Sequence, residues 1–134
     1  MIVWIIDDDE EALRLHEQLF AEKLPQAVVH TFERLSDVES SKGMPDFVFI
    51  DLGGVDGRTL PCFDNRSYIG NLQRFVERFR SAFIVIMSAL VSHAEEDLED
   101  LQKACGDNHL FTLDPCKPYA LVDFCECYGG NNGR

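Results

Sequence analysis

The chain has 134 residues, 46% of them hydrophobic, which suits one globular domain with one buried core and leaves little room for a second domain. Its 24 acidic and 12 basic residues give a formal net charge of -12, which argues against direct binding to nucleic acid, because such a protein must neutralise phosphates. No apolar run is long enough to span a bilayer, and the N-terminus does not resemble a signal peptide, so we expect a cytoplasmic protein without membrane contact.

Five short apolar runs alternate with charged, amphipathic stretches, a pattern typical of βα units that build a parallel sheet. The first, third and fourth runs are apolar at every position, as expected for strands covered on both faces. The sequence therefore predicts an α/β fold, a doubly wound five-stranded parallel sheet with helices on both faces. The predicted strands are Ile2 to Ile6, Ala27 to Phe32, Phe47 to Ile50, Phe83 to Met87 and Leu110 to Leu113.

The stretches between these strands carry helix signals. Residues 10–24 and 68–80 have apolar side chains at helical spacing. Serine and glutamate pairs at 36–39 and 92–95 form capping boxes, which mark the starts of two further helices. A short last helix is predicted from residue 119 to about 128. We therefore expect one domain over residues 1–128, followed by a polar tail at 129–134.

Polar side chains follow four of the five predicted strands. The run Asp7-Asp8-Asp9 follows the first strand, Asp51 the third and Ser88 the fourth, while Lys117 comes shortly after the fifth. Ligands of open parallel sheets bind at the carboxyl ends of the strands, so we expect these groups to converge. Converging carboxylates repel one another unless a cation lies among them, and Mg²⁺ prefers such hard oxygen ligands.

A site of this composition suits phosphoryl transfer. One carboxylate can attack a phosphoryl group, while a metal ion, a lysine and a hydroxyl stabilise the charge on its oxygens. Taken singly, each residue has a simpler explanation. The acidic run suits a helix N-terminus, Asp51 suits a turn, Ser88 can end a strand and Lys117 can be a solvated surface charge. The joint arrangement favours the phosphoryl-transfer interpretation.

The segments that carry these residues resemble the receiver domain of two-component response regulators, and the resemblance spans nearly the whole chain. The similar segments read IVWIIDDDE, DFVFIDL, FIVIMSA and CKPYA. The resemblance implies a CheY-like, flavodoxin-like fold with Asp51 as the phosphoacceptor. It also implies a Mg²⁺ site formed by Asp7, Asp8, Asp51 and the backbone carbonyl of Gly53, in which Asp8 and Asp51 bind the ion directly.

The same resemblance implies roles for residues near the ends of the last two strands. Ser88 would contact the phosphoryl oxygen and move on activation, and Lys117 would pair with the phosphoryl group. The bond before Pro118 would be cis. Phe111 is the candidate for the aromatic switch position, because three additional residues, 114–116, separate the last strand from Lys117.

A receiver takes its phosphoryl group from a histidine kinase or a histidine phosphotransfer protein, and its chemistry is limited to Mg²⁺-dependent self-phosphorylation and autodephosphorylation. We therefore expect no enzyme activity on other substrates. No effector domain follows in this sequence, so we expect the output to pass through a downstream protein target. The stretch around residues 58–67 is longer than in most receivers, and no proline follows Asp51 within the next few residues.

Two other functions compete with this one. The first is a receiver-like module that binds a partner through its acidic face without phosphorylation. The second is a phosphatase of the haloacid dehalogenase type, suggested by Asp7 and Asp9 after an apolar strand, although it leaves Asp51 without a role.

Overall fold

The structure is a computed structural model and describes residues 1–33, 37–38, 41, 43–51, 74–87, 110–113 and 119–129. These residues contain a five-stranded sheet in which all pairings are parallel and the strand order is β2-β1-β3-β4-β5. The strands are β1 (Ile2–Ile6), β2 (Val28–Phe32), β3 (Phe47–Asp51), β4 (Phe83–Met87) and β5 (Leu110–Leu113). The helices are α1 (Glu10–Lys23) and α2 (Ala120–Gly129), and residues 74–78 are also helical.

The predicted five-stranded parallel α/β fold is confirmed, with small shifts at element ends. β2 begins one residue later than predicted, because the N–H of Ala27 donates to the carbonyl of Leu24 and closes the turn after α1. α2 runs to Gly129, one residue into the predicted tail. The predicted helix at 92–105 lies outside the described residues. In the parts of the chain that are described, no helix is both long and apolar enough to cross a membrane.

The sheet separates two buried clusters, one on each face. In β1, Trp4 and Ile6 belong to one cluster, whereas Val3 and Ile5 belong to the other. This alternation follows from the two-residue period of a strand. Helices α1 and α2 cover the second cluster, and the helical segment 74–78 covers the first. The central strands are therefore apolar at nearly every position, while the edge strand β2 has none of its residues buried.

Asp46 joins the beginnings of three strands. The N–H of Ile2 donates to Asp46 Oδ2 over 2.7 Å, and the N–H of Asp46 donates to the carbonyl of Ile2 over 2.8 Å. The N–H of Phe83 donates to the carbonyl of Asp46 over 2.9 Å. These bonds connect β1, β3 and β4 at their N-terminal ends. The resulting register of β1 and β3 pairs Ile6 with Ile50 at their C-terminal ends.

At Gly129, the end of α2 packs closely against the first residue of the chain and against the core. A Cβ added at this position would lie 2.5 Å from Met1 Cε and 3.1 Å from two ring atoms of Phe47. The methionine end is flexible, but the Phe47 ring is buried and stacked on Phe83, with centroids 5.2 Å apart. The glycine therefore permits close packing at the end of the helix.

We expect Gly129→Ala to destabilise the protein by about 1 kcal/mol, because overpacking beside the fixed Phe47 ring outweighs the better helix propensity of alanine. Urea unfolding monitored by circular dichroism measures this difference. Glu126→Ala, at an exposed position of the same helix, is the control and should change stability little. A more stable Gly129→Ala variant would show that the packing at this position is loose.

Candidate functional site

Three carboxylates converge where β1 and β3 end. Asp7 and Asp8 directly follow β1, and Asp51 is the last residue of β3. Asp7 and Asp51 lie one step beyond the paired residues Ile6 and Ile50, at the same level of the sheet. One carboxylate oxygen from each of the three aspartates lies within 4.8 Å of the other two. The parallel register therefore brings together acidic groups that are distant in sequence.

Asp7 is the most deeply placed of the three. Its side chain is 5% exposed, whereas Asp8 and Asp51 are half-buried. Burial raises the pKa of Asp7 to about 7, because desolvation disfavours its charged form. The negative charges of Asp51 and Asp8 and a side-chain hydrogen bond with Asp51 also raise this pKa, and a hydrogen bond from the backbone of Asp9 opposes them. Without a cation, Asp7 therefore holds its proton to a higher pH than an ordinary aspartate does.

The donor set fits a hard divalent cation. Its oxygens are all carboxylate oxygens, the ligands that Mg²⁺ prefers, and they are close enough to share one ion. A divalent cation among them would offset the repulsion that otherwise raises the pKa of Asp7. The group of Asp7, Asp8 and Asp51 can therefore hold a metal ion and leave coordination positions for a further ligand.

Asp9 has a different environment from its two acidic neighbours. It is the N-cap of α1, with φ -92° and ψ 107°, and its side chain accepts a hydrogen bond from the N–H of Glu11 over 3.0 Å. Its own N–H donates to Asp7 Oδ1 over 2.9 Å. The acidic pair next to Asp51 is thus Asp7 and Asp8. Because Asp9 caps the helix, this geometry disfavours a phosphatase site built on Asp7 and Asp9.

The capping role of Asp9 has a visible sequence signal. An aspartate directly before an amphipathic segment with two glutamates in its first turn is a typical helix start. In the sequence, a helix N-terminus is the simpler explanation for the run of three aspartates, whereas the family resemblance assigns the acidic pair to Asp7 and Asp8. What the pattern does not reveal is that the N–H of the capping residue is directed at the carboxylate of Asp7.

Of the other residues predicted for the site, only Phe111 lies in the part of the chain that the structure describes. Gly53, Ser88, Lys117 and Pro118 lie outside the described residues, so their roles stay predictions. Asp51 pairs with Met87 of β4, and Ser88 is the next residue in the sequence.

Phe111 lies in β5 and is half-buried beside α2. Its ring centroid is 5.3 Å from that of Phe124, 5.1 Å from that of Tyr128 and 5.9 Å from that of Phe83. These rings place Phe111 in the cluster shared with α2. Its proposed part in a switch stays a prediction.

Comparison of the sequence with protein-family models and with curated proteins gave no match. The structure, however, is similar to solved response regulators over nearly its whole length. It matches DrrB of Thermotoga maritima, an OmpR/PhoB homologue, with a TM-score of 0.67 and 14% identity, covering 98% of this chain and 53% of DrrB.

Two other matches, to structures close to this chain in length, cover nearly all of both chains. The BeF3-activated receiver domain of DrrB gives a TM-score of 0.64 with 17% identity, and the match covers 96% of this chain and 97% of that domain. The chemotaxis response regulator CheY4 of Vibrio cholerae gives a TM-score of 0.64 with 14% identity, covering 94% and 96% of the two chains. With its sheet order and helices on both faces, this chain has the CheY-like fold of response-regulator receiver domains.

Proposed function

We propose that this chain is a response-regulator receiver that accepts a phosphoryl group on Asp51 from a histidine kinase or a histidine phosphotransfer protein. The observation that carries the proposal is the convergence of Asp7, Asp8 and Asp51 at the carboxyl edge of the sheet. A receiver-type fold supports it, because that edge is where open parallel sheets bind ligands. The proposed output is contact with a downstream protein.

In this proposal Asp7, Asp8 and Asp51 hold Mg²⁺, together with the backbone carbonyl of Gly53. When bound, the ion supplies positive charge that offsets the charge on the phosphoryl oxygens. Asp7 is buried, and electrostatic interactions are stronger where a charge is removed from water. The Asp7 carboxyl also accepts a hydrogen bond from the N–H of Asp9, which opposes its rotation before a ligand arrives.

The transfer step is a displacement at phosphorus. A carboxylate oxygen of Asp51 attacks the phosphorus of the phosphohistidine donor and forms a new O–P bond, while the N–P bond breaks and its electron pair stays on the imidazole nitrogen. The product is an aspartyl phosphate on Asp51. Lys117 would pair with the phosphoryl oxygens, and Ser88 would donate a hydrogen bond to one of them. Movement of Ser88 and Phe111 would then signal the phosphorylated state.

Acetyl phosphate with Mg²⁺ tests the proposal without knowledge of the cognate kinase. We expect a mass increase of one phosphoryl group on the protein, removed by hydroxylamine and absent when EDTA replaces Mg²⁺. Asp51→Asn should abolish it, since an amide is not a nucleophile of this kind. Asp123→Asn, on the exposed side of α2, is the matched control and should be phosphorylated like the parent.

If neither acetyl phosphate nor any histidine kinase modifies the parent protein, the proposed phosphoacceptor function is wrong. The alternative is then a receiver-like module that binds its partner without phosphorylation. An increase that persists in Asp51→Asn would place the modification on another residue.

A further inference from the structure

Three polar atoms of Asp9, its backbone nitrogen, its carbonyl oxygen and Oδ1, join the acidic site to α1. Its N–H donates to Asp7 Oδ1 over 2.9 Å. Its carboxylate accepts from the N–H of Glu11 over 3.0 Å, and its carbonyl accepts from the N–H of Leu13 over 3.0 Å. The residue therefore has one hydrogen bond directed to the site and two directed to the first turn of the helix.

The backbone of Asp9 is held by the core through α1. Leu13 and Phe20 of this helix are buried in the cluster that α1 and α2 share, so the helix has little freedom to shift. A capping side chain fixes the residue that bears it relative to the first turn. The N–H of Asp9 is thus fixed in position by the packing of α1, provided that the cap is intact.

The Asp7 carboxylate depends on this N–H for its orientation. The main chain of Asp7 is fixed by a hydrogen bond of 3.0 Å from its N–H to the carbonyl of Phe32 in β2. Its side chain can still rotate, and the bond from Asp9 opposes that rotation. Mg²⁺ requires near-ideal octahedral geometry, so an oriented ligand binds it more tightly than a rotating one.

We propose that Asp9 is a positioning residue for the metal site. By capping α1, it holds its own N–H against Asp7 and so raises the affinity of the three carboxylates for Mg²⁺. This inference rests on the proposed function, because it assumes that Asp7, Asp8 and Asp51 bind the ion.

Two neutral substitutions of Asp9 distinguish the effect of its helix-capping side chain from the effect of its negative charge. Asp9→Ser removes the charge but keeps a good capping group, and Asp9→Ala removes both. Binding of Mn²⁺ is measured by electron paramagnetic resonance, followed by competition with Mg²⁺. We expect Asp9→Ala to bind both ions more weakly than Asp9→Ser, on the order of tenfold, the size typical of lost outer-shell hydrogen bonds.

A control variant tests whether any loosening of α1 has the same effect. Thr31 Oγ1 donates to Glu17 Oε1 over 2.9 Å and attaches the middle of α1 to β2. Thr31→Val removes this bond without touching the helix start. It should leave the Mn²⁺ and Mg²⁺ affinities within about twofold of the parent, although it lowers stability.

The outcomes are distinguishable. Equal metal affinities of Asp9→Ser and Asp9→Ala overturn the positioning role, as does a matching loss in Thr31→Val. If Asp9→Ala does not fold, Asp9→Gly takes its place, since glycine at an N-cap costs only a few tenths of a kcal/mol. A parent protein that binds neither ion refutes the proposed metal site itself, and the inference fails with it.

Discussion

Replacing Asp51 with asparagine should raise the melting temperature of the metal-free protein by several degrees. The substitution removes a negative charge that lies close to Asp7 and Asp8 and leaves the shape of the side chain almost unchanged. Repulsion among close, partly buried carboxylates destabilises the folded state, and relieving it should be worth about 2 kcal/mol. For a domain of this size, that free energy corresponds to several degrees.

The same substitution should reduce the response to magnesium. Millimolar Mg²⁺ should raise the melting temperature of the parent, because a ligand that binds only the folded state stabilises it. Asp51→Asn loses a carboxylate of the proposed metal site and should respond less. Thermal melts in EDTA and in Mg²⁺ measure both effects, and Asp123→Asn on α2 should behave like the parent. Melting curves that are the same for parent and variant in both buffers would refute the metal site.

The stability of the metal-free protein should depend on pH through Asp7. The pKa of this carboxyl is raised from 3.8 to about 7, so between these pH values the folded protein holds a proton that the unfolded chain has released. The contribution of Asp7 protonation to the free energy of unfolding is therefore fully present below pH 3.8 and is lost as the pH rises through 7. Its loss should amount to a few kcal/mol, since one pKa unit corresponds to about 1.4 kcal/mol.

Asp7→Asn isolates this contribution, because asparagine resembles the protonated acid and can still accept the hydrogen bond from the N–H of Asp9. Urea unfolding in EDTA at a series of pH values should show a stability difference in favour of the variant. The stability difference should grow as the pH rises above 3.8 and become constant above about 7. Titration of acidic groups distant from Asp7 affects both proteins and cancels in the comparison, whereas Asp8 and Asp51 titrate together with Asp7 and contribute to the measured difference. A difference that is constant over this range would mean that Asp7 titrates normally.

Much of the fold follows from local pattern. The central strands could be predicted because burial on both faces requires apolar residues at every position, and β1 and β4 have the bounds expected from the sequence. The ends of elements were harder to predict. Gly129 is typical of a helix stop, and α2 includes it as its last residue, where the absent side chain lets the helix end pack against Met1 and Phe47.

The site could be predicted in part for a similar reason. The carboxyl ends of parallel strands meet at one edge, so the convergence of Asp7, Asp8 and Asp51 follows once the strands are recognised. The hydrogen bond from Asp9 to Asp7 does not follow from spacing, because it depends on how the chain turns from β1 into α1. The raised pKa of Asp7 likewise depends on burial by distant residues, which no local pattern contains.

The hydrogen bonds of Asp46 have a consequence for the fidelity of folding. They fix the alignment of β1 and β3 at one edge of the sheet, and the acidic site lies at the opposite edge of the same two strands. A slip of β3 by one residue would turn Asp51 toward the other face of the sheet and separate it from Asp7. A cation that binds both carboxylates therefore discriminates between correctly aligned and misaligned chains, and it favours only the former.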